Sequence, residues 1–271
     1  MRLPLLFSLL VLNSLLTVAQ KNFRAAADSI QSEGERLYIS EKASWDAGDR
    51  LSSLPGAIQN NFGGYISYTE GRYTKCIFLS KADANYKIAT FSYMKGQELP
   101  PIVDTTYMPI NKLESKYWRL KAAAVQNISS DTFFHVYPGT ILNVVPIIKG
   151  HEKRVYVLTG TFEKGLLIIG NDYLLKFDHF DRILSETCFH RDLAKIPFKS
   201  DSSEKSASHN HVPPASSFMT ATDYCTLLLY SRHTTWRQYF VVSKNAVSIL
   251  NYSNRRLRIL SKDTYRKMTQ K

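Results

Sequence analysis

The sequence predicts an α+β fold, with helices and an antiparallel meander in its N-terminal part and a mixed β-sheet flanked by helices in its C-terminal part. Hydrophobic residues make up 44% of the 271 residues and charged residues 21%, which is typical of a folded chain with a substantial core. The 16 Tyr and 14 Phe residues favour sheet. Segments with helical periodicity and segments with strict alternation follow one another along the chain, which indicates the same class.

The first nineteen residues predict a secretory signal peptide. A basic residue, Arg2, precedes a leucine-rich run from Leu3 to Leu16, and small residues lead to Ala19. This order of a basic, an apolar and a small-residue segment is typical of a cleavable export signal, and the run is short for a membrane span. We therefore expect a secreted or periplasmic protein that is cleaved after Ala19.

Residues 20–130 predict a region of helices and a meander. Apolar residues recur at helical spacing from Lys21 to Leu54, where Pro55-Gly56 follows, and again from Asn111, a good N-cap residue, to about Gln126. Between these helices lie three alternating segments separated by short turns. They are Tyr65–Tyr68, Tyr73–Leu79 and Tyr86–Tyr93. A soft domain boundary is expected near residue 130.

Residues 131–271 predict a β-rich domain. The expected strands are Ile141–Ile148, Val155–Thr159, Leu166–Ile169, Tyr173–Phe177, Ile183–Phe189, Trp236–Val242 and Val247–Tyr252. Lys199–Ser208 is rich in Ser and Lys and predicts a surface loop. A helix is expected from Met219 to about Tyr230. No internal repeat is seen.

Three cysteines allow one disulfide after export. Cys188 and Cys225 are the first pair to consider, which would leave Cys76 as a thiol. Because cysteine is also a common small core residue, the alternative that all three are buried thiols stays open.

The net charge of +12 is concentrated near the C-terminus. From Arg232 onward there are ten Lys and Arg residues and one acid, Asp263. Such a basic end favours an anionic surface as a partner, with Arg255, Arg256 and Arg258 at its centre. The alternative is that these arginines protect a solvated sheet edge from pairing with another chain. Export argues against nucleic acid as the partner.

The candidate site is the stretch from His209 to Asp223. His209 and His211 are two residues apart on an extended segment, so their side chains point to the same side, and neutral imidazoles are good zinc ligands. Asp223, at the start of the expected helix, would supply a third ligand and leave one coordination position open, as catalytic zinc sites do. Thr220 would lie beside it, with its hydroxyl available to a developing oxyanion.

This arrangement resembles the JAMM/MPN metalloproteases, a family that includes deubiquitinases and bacterial relatives. The resemblance covers about residues 147–252, and its specific part is the His-x-His…Asp unit, with an interval close to the family's usual spacing. It implies zinc held by His209, His211 and Asp223, with Thr220 in the place of the family's serine. Val212 stands where the family usually has proline.

The resemblance also implies a glutamate as general acid/base at the start of an upstream apolar strand. Glu152 fits best, since an apolar segment ending in Gly160 follows it, and Glu163 and Glu186 are the alternatives. The glycine and cysteine that often follow this glutamate in the family are absent. The implied activity is hydrolysis of a peptide or isopeptide bond, in which the glutamate accepts and returns a proton. For an exported protein, a cell-wall or surface peptide is the expected substrate.

Two other interpretations fit the same residues. A Thr at the N-cap with an acidic residue three positions later resembles a capping box, and this role alone explains Thr220 and Asp223. The two histidines could be exposed loop residues, because this spacing recurs by chance. The protein would then be a non-enzymatic envelope or surface protein that binds through its basic C-terminal end.

Overall fold

In the computed structural model a long helix, α1 (Leu3–Asp49), begins the chain. The structure describes the backbone of residues 3–97, 100–213 and 215–270, and the side chains of these ranges from residue 22 onward. The side chains of the expected signal peptide lie outside the described residues. The chain divides into two compact units, the first made of residues 1–35 and 198–271 and the second of residues 36–197. The boundary expected near residue 130 therefore falls inside the second unit.

Five α-helices are present among the described residues, with a short 3-10 helix at Leu51–Ser53. The others are α2 (Gly56–Asn60), α3 (Lys112–Ser130), α4 (Ala221–Tyr230) and α5 (Lys262–Thr269). Asn111 caps α3 as expected: its side chain accepts from the backbone N–H groups of Leu113 and Glu114, while Glu114 reaches back to the Asn111 N–H. Among the described residues, no helix combines the length and apolar content that a membrane span requires.

The second unit contains two antiparallel sheets. The first joins β1 (Phe62–Glu70), β2 (Tyr73–Ser80), β3 (Tyr86–Met94), β4 (Ile102–Asp104) and β5 (Met108–Pro109), with β4 and β5 both paired to β3. The second is a meander of β6 (Thr140–Lys149), β7 (Glu152–Thr161), β8 (Leu166–Phe177) and β9 (Ile183–Pro197). Together with the helices, these sheets confirm the α+β class.

The core of the second unit forms because two helices bury apolar side chains against these sheets. Ala43 and Ala47 of α1 pack with Phe78 and Phe91 on one sheet. Leu120 of α3 packs against the buried residues of the β6–β9 meander. Small residues on α1 let the helix approach the aromatic rings closely, so packing rather than helix propensity holds it in place.

The first unit contains one four-stranded sheet in the order β10 (Ser206–Asn210), β11 (Gln238–Val242), β12 (Ala246–Asn251) and β13 (Arg256–Ser261). β10 and β11 are parallel, and α4 forms the crossover between them, as parallel neighbours require. The other pairs are antiparallel. The segment between β10 and α4 leaves the carboxyl end of β10, and the candidate site lies there.

Contacts with the first part of α1 complete this unit. Gly34 is buried against the ring of Tyr224, so closely that a Cβ atom at this position would lie 2.5 Å from Tyr224 Cδ1. The Tyr224 hydroxyl lies 2.9 Å from Glu35 Oε1 and 2.6 Å from the Arg255 carbonyl oxygen. Only glycine fits at position 34 with the helix at this distance from α4.

The cysteines form no disulfide within the described residues. Cys76 and Cys225 are buried and Cys188 is partly buried. Burial raises the pKa of the Cys76 thiol to about 12, so it stays protonated. The bond considered between Cys188 and Cys225 is not formed, and the alternative that all three cysteines are thiols describes the structure.

Candidate metal centre

His209 and His211 lie at the end of β10, where their imidazoles face each other. His209 Nε2 lies 2.9 Å from His211 Nε2, and the two rings are 4.9 Å apart between centroids. The backbone N–H of His211 donates to the Val242 carbonyl at 2.9 Å, which extends the parallel pairing by one residue. The expected orientation of the two side chains to one side is thus met, and they are not isolated loop residues.

Asp223 brings a carboxylate to the same place. Its Oδ2 lies 3.3 Å from His211 Nε2, and both side chains are about 1% exposed. His211 and Asp223 are two members of a three-residue group of histidine and aspartate side chains whose ligand atoms lie within 4.8 Å of one another and could hold a metal ion, and His209 is not a member of this group. Two of the three predicted ligands are therefore close together and buried, and the third, His209, contacts His211.

The same carboxylate also caps α4. Asp223 Oδ2 accepts the Thr220 backbone N–H at 2.8 Å, and Thr220 Oγ1 accepts the Asp223 backbone N–H at 3.0 Å. The Thr220 hydroxyl also lies 2.7 Å from the hydroxyl of Thr222. The capping interpretation and the ligand interpretation are thus both compatible with the structure, because the cap fixes Oδ2 beside the imidazole.

Each imidazole is held through its other nitrogen. His211 Nδ1 lies 3.0 Å from the Ser216 carbonyl oxygen, and His209 Nδ1 lies 3.2 Å from the Tyr239 hydroxyl. A carbonyl only accepts, so Nδ1 of His211 carries the proton and, in the neutral ring, Nε2 presents a lone pair. This lone pair faces Asp223 Oδ2, so a positive charge placed between the two atoms would be favoured.

Tyr239 is fully buried on β11, next to β10, and it contacts Trp236 with ring centroids 5.5 Å apart. Burial raises the pKa of the Tyr239 hydroxyl above its usual range, so it remains a neutral donor or acceptor. Sequence reasoning missed both Tyr239 and the Ser216 carbonyl. Neither carries a sequence signal, because the β10–β11 register brings Tyr239 to the site.

Glu152, predicted as the general acid/base, belongs to the second unit. It begins β7, its side chain is 58% exposed, and its carboxylate accepts from Arg154 at 2.7 Å. The alternatives lie in the same unit: Glu163 is exposed in the β7–β8 turn, and Glu186 on β9 accepts from Asn127 at 2.6 Å. The assignment of Glu152 stays a prediction.

The second unit also contains a histidine–carboxylate pair that the sequence did not reveal. His190 lies on β9, and its Nδ1 lies 2.7 Å from Oδ1 of the buried Asp172 on β8. The two residues are register partners across the strands, beside a bulge where Gly170 and Asn171 have positive φ values of 96° and 49°. Only the register between β8 and β9 could have predicted this contact, and the sequence does not specify that register.

The candidate site at the end of β10 brings together the side chains of His209, His211 and Asp223. Two imidazoles and one carboxylate are the donor set of catalytic zinc sites such as the His₂Glu type. Comparison with protein-family models, with curated proteins and with solved structures finds no match to this chain.

Proposed function

We propose that the protein is a zinc-dependent hydrolase of peptide or isopeptide bonds, with a JAMM-type zinc site formed by His209, His211 and Asp223. One observation carries the proposal. His209 Nε2, His211 Nε2 and Asp223 Oδ2 follow one another at 2.9 Å and 3.3 Å, while the Nδ1 atoms of both rings are held elsewhere. Ligand histidines are typically fixed through their second nitrogen in this way.

The distances between neighbouring ligand atoms are compatible with a zinc ion and support the proposal. Ligand atoms about 2.0–2.1 Å from a tetrahedral zinc lie roughly 3.3 Å from each other. The His211–Asp223 separation of 3.3 Å has this value, and the His209–His211 separation of 2.9 Å is slightly shorter. Three protein ligands leave a fourth position for water or substrate, which is typical of catalytic rather than structural sites. When bound, zinc would lower the pKa of water in that position to about 7 and polarise a substrate carbonyl.

The protein's own residues would orient the ligands and move the proton. The Ser216 carbonyl fixes the His211 tautomer, and the Thr220 cap fixes the direction of Asp223. Thr220 thus acts first as a positioning residue, since its hydroxyl already accepts from the Asp223 N–H. By resemblance, Glu152 would accept a proton from the attacking water and return it to the leaving amine.

The zinc content of the purified full chain tests the metal site. We expect about one zinc per chain in the wild type and a large loss in His211→Ala, because that variant removes the imidazole between the other two ligands. His233→Ala is the matched control, since His233 is an exposed histidine of the same unit. Equal zinc content in all three proteins would reject the site.

Hydrolysis of peptide and isopeptide substrates tests the activity. We expect cleavage that a chelator abolishes and that Glu152→Gln reduces by about 100-fold or more, the usual contribution of a general acid/base. A zinc-loaded protein that cleaves none of these bonds would retain the metal site but overturn the proposed reaction. Activity that Glu152→Gln leaves unchanged would remove only that residue from the mechanism.

A further inference from the structure

The last strand and the last helix of the first unit form a basic face, defined here by Arg256 and Arg258 of β13 with Arg266 and Lys267 of α5. All four side chains are exposed. Along β13 exposed and buried residues alternate, so Arg256 and Arg258 point away from the core, into which Leu257 points. The arginines therefore lie on the outer face of the sheet.

Strand register places α5 on this same outer face. Arg258 pairs with Ile249 of β12, and Ile249 pairs with Phe240 of β11, so these three side chains share one face. The ring of Tyr265 in α5 contacts Phe240, with centroids 6.1 Å apart. The cations of the strand and those of the helix are thus parts of one surface.

Acidic side chains of the protein neutralise little of the positive charge of the basic face. Within the part of the chain that the structure describes, the one salt bridge of the four cations joins Arg266 to Asp263 at 4.0 Å, and both side chains are largely exposed. A pair of this kind contributes almost nothing, because solvent screens it. The four cations therefore attract an external anion and repel one another without it.

Protection of the sheet edge does not explain the whole face. β13 is an edge strand, and one or two outward arginines suffice to discourage pairing with another chain. Arg266 and Lys267 lie on the helix after the strand and protect no edge. The exposed Met268, 55% accessible, follows them directly. Cations beside an exposed apolar side chain on a short helix suit the boundary between lipid headgroups and acyl chains.

We infer that the basic face docks the protein on an anionic phospholipid surface. The inference does not depend on the metal site. Each Lys or Arg held near an anionic headgroup layer strengthens binding about fivefold, so four cations give a reversible attachment that is sensitive to salt. Met268 adds a small apolar contact, and the arginines supply most of the affinity.

Vesicle co-sedimentation of the full chain tests this inference, with phosphatidylcholine vesicles that contain or lack phosphatidylglycerol. We expect binding only to the anionic vesicles, and weaker binding as NaCl rises from about 0.05 M to about 0.5 M. The double variant Arg256→Gln/Arg258→Gln should bind about 25-fold more weakly. Both residues are exposed, so the variant should keep its fold, which circular dichroism would verify.

The matched control is Lys112→Gln/Lys116→Gln, which removes the same charge from exposed positions on α3 in the second unit. We expect it to bind like the wild type. Equal weakening of both double variants would show that net charge alone drives binding, and it would overturn the docking face. Absence of vesicle binding at low salt, or binding of a soluble polyanion such as heparin but not of vesicles, would overturn the lipid surface as the partner.

Discussion

Removal of one hydroxyl group should weaken metal binding at the proposed site without unfolding the protein. Tyr239→Phe deletes the group that lies 3.2 Å from His209 Nδ1 and keeps the ring that contacts Trp236. With zinc bound, His209 must carry its proton on Nδ1, and the Tyr239 oxygen is the acceptor for it. Loss of such a partner typically reduces metal affinity about 10–100-fold, or roughly 1.4–2.7 kcal/mol.

The assay is zinc affinity by competition with a chromogenic chelator, with the melting temperature measured in parallel. His209 is partly exposed, so water can replace the lost hydroxyl and the metal-free protein should lose about 1 kcal/mol or less. Tyr252→Phe is a close control, because the Tyr252 hydroxyl is buried in the same unit and has no hydrogen-bond partner among the described residues. Equal zinc affinity of Tyr239→Phe and wild type would refute the role given to Tyr239.

Three further predictions concern stability. Burial raises the pKa of Glu41 to about 7, so the folded state binds more protons than the unfolded state between pH 4.5 and about 7. The free energy of unfolding, measured by denaturant titration, should therefore fall by on the order of 3 kcal/mol as the pH rises across this window. Glu41→Gln should reduce this dependence of stability on pH. Glu114→Gln should cost about 2 kcal/mol of unfolding free energy, since the buried carboxylate accepts from Lys87 at 2.7 Å, and an unchanged urea midpoint would contradict this. Gly34→Ala should lower the melting temperature through a clash with Tyr224 worth about 1–3 kcal/mol, whereas Gly48→Ala, where a Cβ would meet nothing within 4 Å, should not.

Elements with strong local signals were predictable from the sequence. The Asn111 cap specifies the start of α3, and alternation specifies β1 to β3. The first residues of β10, up to Ser208, were expected to be part of a loop, because the exposed Ser206 and Ser208 carry no apolar alternation and the strand gains its pairing from β11. Regular structure in such a segment depends on its partner strand, which local propensity does not report.

One strand was predicted as two. The expected break between Ile169 and Tyr173 is a bulge in β8, where Gly170 and Asn171 adopt positive φ and pairing with β9 continues on both sides. Glycine and asparagine predict turns because both tolerate this conformation, and a bulge uses the same property without reversing the chain.

The proximity of the candidate ligand residues could be expected from the sequence, but the residues that support them could not. Strand geometry places His209 and His211 on one side of the chain, and helix capping orients Asp223. Both effects act within a few residues, so the spacing in the sequence reports them. Tyr239 is thirty residues from His209, and tertiary packing selects it. The assignment of Glu152 rests on resemblance alone.

The double use of one carboxylate oxygen has a consequence for the proposed metal site. Asp223 Oδ2 accepts the Thr220 N–H and so holds the first turn of α4, which positions this proposed ligand before any metal arrives. Because this side chain is already ordered, metal binding at such a site costs little conformational entropy. Any mutation that loosens the start of α4 should therefore weaken zinc binding at the proposed site, although the altered residue is not one of the proposed ligands.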